Sequence, residues 1–142
     1  MSGSPEDCTN VHNRRTFTVS EQRSRLAFDN PDLHEFSQTE VDGCVFTVDD
    51  AAKRCDWKIV DEIDLRAVYV ELKGSHVGHA ISQIEETHKS LPPVAGFFVE
   101  WIVCCSGGIP PTTETQADVD RLKRRRITLH VRRSGYRHLL RR

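Results

Sequence analysis

The sequence predicts a single α/β domain with a mixed central sheet of about five strands flanked by helices. Short β-rich apolar runs recur along the 142-residue chain, and the stretches between them carry apolar residues at helical spacing. One strand–helix–strand succession is typical of parallel neighbours joined by a crossover. The length is sufficient for one domain with its own core.

The first third of the chain is predicted to hold a loose arm, a helix and two strands. Residues 1–18 lack periodicity and are predicted to form a flexible N-terminal arm. Ser20 is a candidate N-cap for a short helix ending before Asn30-Pro31. The apolar stretches 43–48 (GCVFTV) and 55–60 (CDWKIV) are typical of short strands.

The middle of the chain predicts a hairpin followed by a crossover. A short polar connection joins 55–60 to the third strand, 67–74 (AVYVELKG), which favours an antiparallel pair. Helical spacing after Gly74 predicts a helix that stops at Pro92-Pro93. The run 94–105 (VAGFFVEWIVCC) predicts a central strand covered on both faces.

The C-terminal part predicts a short helix, a last strand and a tail. Thr115 and Asp118 resemble a capping box that opens the helix. Ile127, Leu129 and Val131 alternate as on a half-buried strand. The folded domain is therefore predicted to span 19–135, with a basic tail over 136–142.

Cysteine spacing and hydropathy argue against a zinc-binding protein and against a membrane protein. The five cysteines form no C-x-x-C pair, which disfavours a zinc site. Three of the five lie in strand-like apolar surroundings, where reduced cysteine acts as a small hydrophobe, so a cytoplasmic location is expected. No segment has the length to cross a bilayer, and the N-terminus has no signal-peptide core, so no membrane association is expected.

Charge is distributed unevenly. The net charge is -1, yet the residues from Arg121 to Arg142 include ten Lys or Arg and no acid, which leaves about -11 on the first 120 residues. A solvated tail paired with the acidic body is one explanation. The other is a phosphate-binding surface, and its candidate residues are Lys123, Arg124, Arg125, Arg126, Arg132 and Arg133.

Polar residues interrupt the predicted hairpin strands. Glu71 and Lys73 project from one face of their strand, because side chains alternate with a period of two. A turn centred between Ile63 and Asp64 sets Asp56 opposite Glu71, whereas a one-residue slip sends Asp56 to the other face. A solvated strand face is the ordinary explanation of a Glu-x-Lys pattern.

A metal site is the alternative. Opposed carboxylates repel unless a proton or a cation lies between them, and Mg²⁺ prefers carboxylate oxygens while keeping waters for a phosphate substrate. An ammonium beside a metal-bound water can orient that water or share its proton.

These residues resemble a known family. Asp56, a hairpin, Glu71-x-Lys73 in an apolar strand and a following helix with Gln83 are similar to the core of the PD-(D/E)xK nuclease superfamily, which includes restriction endonucleases and Holliday-junction resolvases. The resemblance covers residues 40–132 in element order and about four positions in motif. It implies a restriction endonuclease-like fold in which Asp56 and Glu71 bind metal and Lys73 activates water. Gln83 resembles a glutamine that some members place beside the site.

The resemblance implies a Mg²⁺-dependent DNA endonuclease, with Mn²⁺ as a substitute metal and a homodimer as the working form. The alternative is a catalytically inactive protein of the same fold that binds nucleic acid or a protein partner. Many members add an acidic residue from the N-terminal region, for which Glu21, Glu35 and Glu40 compete, and Asp42 also precedes the first strand. His76 and His79 are candidates for phosphate or second-metal contacts, with solvation as the ordinary alternative.

Overall fold

The computed structural model describes residues 4–21, 24–47, 54–72, 76–106 and 112–141. These residues form nine strands and two helices. The elements are β1 Thr9–His12, β2 Thr16–Glu21, β3 Ser24–Asp29, β4 Phe36–Glu40, β5 Trp57–Asp61, β6 Arg66–Leu72, α1 Val77–Ser90, β7 Phe98–Cys105, α2 Thr112–Lys123, β8 Ile127–Arg133 and β9 Tyr136–Leu139.

The centre of the fold is a mixed six-stranded sheet with the order β1-β4-β5-β6-β7-β8. Strands β6, β7 and β8 run parallel, and β1, β4, β5 and β6 pair antiparallel. The α/β class and the parallel strand–helix–strand unit β6-α1-β7 are as predicted. The sheet has one strand more than expected, because β1 and β4 were not predicted and the described residues of the strand predicted over 43–48 are not part of it.

The two faces of this sheet are covered differently. One face packs against α1 and α2, and its core includes Tyr69, Ile84 and Trp101. The other face packs against a second sheet of three strands with the order β2-β3-β9, through Phe28, Val70 and Ile102. The expectation that helices flank the sheet therefore holds for one face, and a β-layer covers the other.

The helix predicted from Ser20 is wrong: the segment is the antiparallel pair β2–β3. Its buried residues alternate, with Phe17 and Val19 on one strand and Leu26 and Phe28 on the other. A period of two is the pattern of a half-buried strand. This alternation, and not the capping potential of Ser20, determines the structure of the segment.

The predicted arm and tail both contain strands of the fold. The segment 1–18 contains β1 and the start of β2, and the segment 136–142 contains β9, which runs parallel to β3. The strand predicted over 43–48 is absent from the described part of that segment, which forms a turn with a single bridge between Asp42 and Phe46. Cys44 in this turn forms a disulfide with Cys8.

The remaining cysteines, Cys55, Cys104 and Cys105, are free and buried. Cys104 and Cys105 are neighbours on β7 but belong to different cores: Cys104 packs with the three-stranded sheet, and Cys105 with the helices. Among the described residues, neither helix is long and apolar enough to cross a membrane. The cytoplasmic location stays a prediction, and the Cys8–Cys44 disulfide is a bond more typical of oxidising compartments.

Candidate active site

Asp56 and Glu71, called here the carboxylate pair, lie where the β5–β6 hairpin meets the carboxyl ends of the parallel strands. The hairpin has the predicted register, with Trp57 opposite Val70 and Ile59 opposite Val68. Glu71 follows Val70 on β6, and Asp56 immediately precedes β5. The two residues therefore lie on neighbouring chain segments at one edge of the sheet, and each is 2% exposed.

The side chain of Asp56 hydrogen-bonds to β6 where the regular backbone pairing of β5 with β6 ends. Its backbone N–H donates to the Val70 carbonyl at 3.0 Å, and its Oδ2 accepts the backbone N–H of Leu72 at 2.8 Å. The Asp56 carboxylate thus reaches β6 at the residue that follows Glu71. Its backbone carbonyl also accepts the N–H of Val41, so the residue after β4 holds Asp56 from the other side.

Helix α1 supports the residue before Asp56. The N–H of Cys55 donates to Thr87 Oγ1 at 2.8 Å, and the Thr87 hydroxyl donates to the Gln83 carbonyl at 3.0 Å. Burial raises the pKa of the Cys55 thiol to about 12; the Thr87 hydrogen bond opposes that rise, and the charges of Glu71 and Asp56 add to it. Cys55 is therefore a neutral, fixed support beside the carboxylate pair.

Gln83 and Lys73 are the other two residues of the sequence motif. Gln83 is buried on α1, and its Nε2 donates to the Arg54 carbonyl at 3.5 Å, two residues before Asp56. This contact gives Gln83 a part in holding the strand entry. Lys73 lies outside the described residues.

Of the candidate acidic residues of the N-terminal region, Glu40 and Asp42 lie beside the chain around Asp56, and Glu21 and Glu35 lie elsewhere in the fold. Glu40 pairs with Trp57 and shares its face of the sheet, which packs against the three-stranded sheet. Glu71 lies two residues after Tyr69 and is therefore on the opposite face, which packs against the helices. Glu21 ends β2 in the second sheet, and Glu35 is exposed before β4. The exposed Asp42 lies in the turn after β4, where its N–H donates to the Cys55 carbonyl at 3.2 Å.

The remaining candidates are two histidines and two tryptophans. His76 and His79 are exposed at the start of α1, near the carboxyl edge of β6. Trp101 is fully buried, and Trp57 packs against the core of the second sheet. Both tryptophans are therefore packing residues.

The predicted basic surface is divided between two edges of the sheet. Arg132 and Arg133 end β8, opposite Cys104 and Cys105 of β7, and so lie on the same edge as Glu71. Lys123, Arg124, Arg125 and Arg126 precede β8 and lie at the other edge. Five strand residues, 127–131, lie between Arg126 and Arg132, which are therefore about 20 Å apart.

Some of these cations already have partners. Arg125 makes a two-point ion pair with Glu85 of α1, with distances of 2.6 and 2.9 Å, and lies over the ring of Trp101. The Arg125 hydrogen bond lowers the pKa of Glu85. Arg132 donates to the Val131 carbonyl and lies over the ring of Tyr136. Arg133 is exposed at the carboxyl edge, so it is the best placed of the six to reach a phosphate near the carboxylate pair.

Comparison of the chain with protein-family models, with curated proteins and with solved structures found no match.

Proposed function

We propose that the protein is a Mg²⁺-dependent endonuclease that hydrolyses phosphodiester bonds in DNA. The observation that carries the proposal is the carboxylate pair: two buried acids from adjacent antiparallel strands, brought to the carboxyl edge of a mixed sheet. Asp56 reaches the backbone beside Glu71 through a 2.8 Å hydrogen bond. This arrangement supports the resemblance of the motif to the PD-(D/E)xK nucleases.

A divalent cation suits two such carboxylates. Burial disfavours ionised acids and a second nearby acid disfavours them further, so a positive charge at this place is stabilising. Mg²⁺ binds carboxylate oxygens and keeps water ligands. One such water supplies the nucleophile for the phosphodiester, and the ion offsets the negative charge that develops on the phosphate oxygens.

Lys73 has the proposed role of orienting or deprotonating that water. Losing one positioned acid–base group costs about 10²–10⁴-fold in rate. Asp56 and Glu71 have the proposed role of metal ligands. Gln83 is proposed to hold the strand entry at Arg54, which its hydrogen bond supports.

The test is a cleavage assay of the full chain on plasmid, branched and single-stranded DNA, with Mg²⁺, with Mn²⁺ and with chelator. Cleavage that requires the divalent ion is expected. The same assay on RNA substrates defines the substrate class. Absence of metal-dependent cleavage on every substrate would overturn the proposal.

Two variants separate metal binding from water activation. Asp56→Asn keeps an oxygen that can accept the Leu72 N–H, so it should fold but bind Mg²⁺ more weakly, and excess Mg²⁺ should partly restore cleavage. Lys73→Ala should lose cleavage at every Mg²⁺ concentration while keeping DNA affinity. Glu62→Gln is the matched control for Glu71→Gln, because Glu62 is exposed at the far end of the same hairpin.

The rival proposal is a nuclease-fold protein that binds nucleic acid or a protein partner without catalysis. Equal activity of the wild type and Lys73→Ala across Mg²⁺ and Mn²⁺ titrations, together with retained DNA binding, would favour it. Loss of cleavage in Glu62→Gln as well as in Glu71→Gln would show that any charge change in the hairpin is sufficient, and would remove the support for the carboxylate pair.

A further inference from the structure

A second cluster of titratable groups lies between the two sheets, apart from the carboxylate pair. Glu100 of β7, His130 of β8 and His138 of β9, called here the Glu100 cluster, bring three ligand atoms within 4.8 Å of one another. Glu100 is 3% exposed and His138 is 5% exposed. The side chain of His130 is 18% exposed, so the cluster opens to solvent on that side.

One oxygen of Glu100 lies between the two rings. Glu100 Oε2 is 2.9 Å from His130 Nε2 and 3.1 Å from His138 Nε2. Ligands held at about 2.0–2.2 Å by a tetrahedral Zn²⁺ lie about 3.3–3.5 Å from one another. Glu100 Oε2 therefore needs to move away from each ring nitrogen by only a few tenths of an ångström to reach the spacing of two ligands on such an ion.

His138 supplies the independent observation. Within the described part of the chain, its Nδ1 has no hydrogen-bond partner and its Nε2 has only the 3.1 Å contact with Glu100 Oε2, although the ring is buried. A buried polar atom without a hydrogen bond is costly and calls for an explanation. Its Nε2 points toward the carboxylate oxygen at contact distance, which is where a shared metal ion would satisfy it.

The second oxygen of the carboxylate is held from outside the cluster. Arg66 Nη1 lies 3.0 Å from Glu100 Oε1, which leaves Oε2 for the imidazoles. This contact is an ion pair, and a partner that holds the outer oxygen of a ligating carboxylate is common around metal sites.

From these contacts we propose that Glu100, His130 and His138 form a Zn²⁺-type transition-metal site that joins β9 and the second sheet to the central sheet. Imidazole and carboxylate ligands suit Zn²⁺, and a water completes a fourth position. The positive charge of Arg66 next to the ion lowers the affinity below that of four-ligand structural sites. The site does not depend on the proposed nuclease function.

Zinc titration of the chelator-treated full chain by calorimetry, in excess Mg²⁺, tests the site. Mg²⁺ occupies carboxylate sites and is a poor match for imidazole, so zinc binding through histidine is measured apart from the carboxylate pair. One saturable zinc per chain is expected. At about 100 times its Kd, zinc should raise the folding equilibrium constant about a hundredfold, and Co²⁺ should give the visible absorption of a tetrahedral complex.

His130→Gln is the decisive variant, because His130 is the most exposed ligand. It should weaken zinc binding by more than about a hundredfold, the upper range for losing a supporting residue around a metal. His34→Gln is the matched control: His34 lies beside Asp61 and Asp64 in the other histidine–carboxylate group, and its loss should leave zinc binding unchanged.

A direct measurement on the wild type guards against misfolding of the variant. Nuclear magnetic resonance of the histidine ring nitrogens should show the Nε2 signals of His130 and His138 shifting on zinc addition. Failure of the wild type to bind zinc, unchanged ring signals, or loss of binding in His34→Gln would overturn the proposal.

Discussion

Replacing Thr87 by valine should weaken both the fold and the candidate active site. Thr87 is fully buried, and its hydroxyl accepts the N–H of Cys55 at 2.8 Å. Valine has nearly the same shape but no hydroxyl, and Cys55 is itself fully buried, so water has no access to the abandoned N–H. An unsatisfied buried donor costs about 1–3 kcal/mol. At a urea dependence of about 2 kcal/mol per molar, this lowers the unfolding midpoint by about 1 M.

Urea unfolding followed by tryptophan fluorescence measures the cost, and amide exchange at Cys55 localises it. Thr87→Ser keeps the hydroxyl, so it should keep the slow exchange of the Cys55 N–H while losing one buried methyl group. Because Cys55 precedes Asp56, Thr87→Val should also raise the Mg²⁺ concentration needed for cleavage, and Thr87→Ser should not. A valine variant as stable as the wild type, with unchanged exchange at Cys55, would refute the role given to this hydrogen bond.

Two further predictions concern charge. Arg133→Ala should reduce the slope of log affinity against log salt for duplex DNA by about 0.9, the value for one lost phosphate contact. Arg124→Ala, at the other sheet edge, should reduce the slope less. Equal slopes for the two variants would contradict the placement of DNA at the carboxyl edge. The hydrogen bond to Asp61 raises the pKa of His34 above 6.5, so the stability it contributes is fully present below 6.5 and is lost as pH rises through the raised value. Urea unfolding of the wild type and His34→Gln over that range should show their stabilities converging as pH increases, and a pH-independent difference would count against this ion pair.

Local patterns predicted the part of the fold whose partners are close in sequence. The β5–β6 hairpin was predicted with its register, because a short turn ties the two strands and fixes which residues oppose each other. The helix ending before Pro92-Pro93 and the buried strand β7 were also predicted, since each carries its own periodicity and stop signals. The place of the carboxylate pair at the hairpin end follows from the same local geometry.

Distant pairings were beyond the reach of local patterns. Strand β9 pairs with β3 across more than a hundred residues, and no local pattern in either strand indicates this pairing. The Glu100 cluster depends on that pairing, because His138 reaches Glu100 only after β9 has docked. A glutamate in the apolar run FVEWIVCC was a visible signal of a buried charge, but its partners required the topology.

The adjacent thiols of Cys104 and Cys105 give the protein a built-in pair of reporters. Each is buried against a different layer, so a small thiol reagent reaches Cys104 when the second sheet lifts and Cys105 when the helices lift. Burial raises the pKa of both thiols, which keeps them protonated and slow to react until a layer opens. Mass analysis of partly labelled chains under native conditions therefore reads out which side of the central sheet opens first, and whether ligands at either proposed metal site close it.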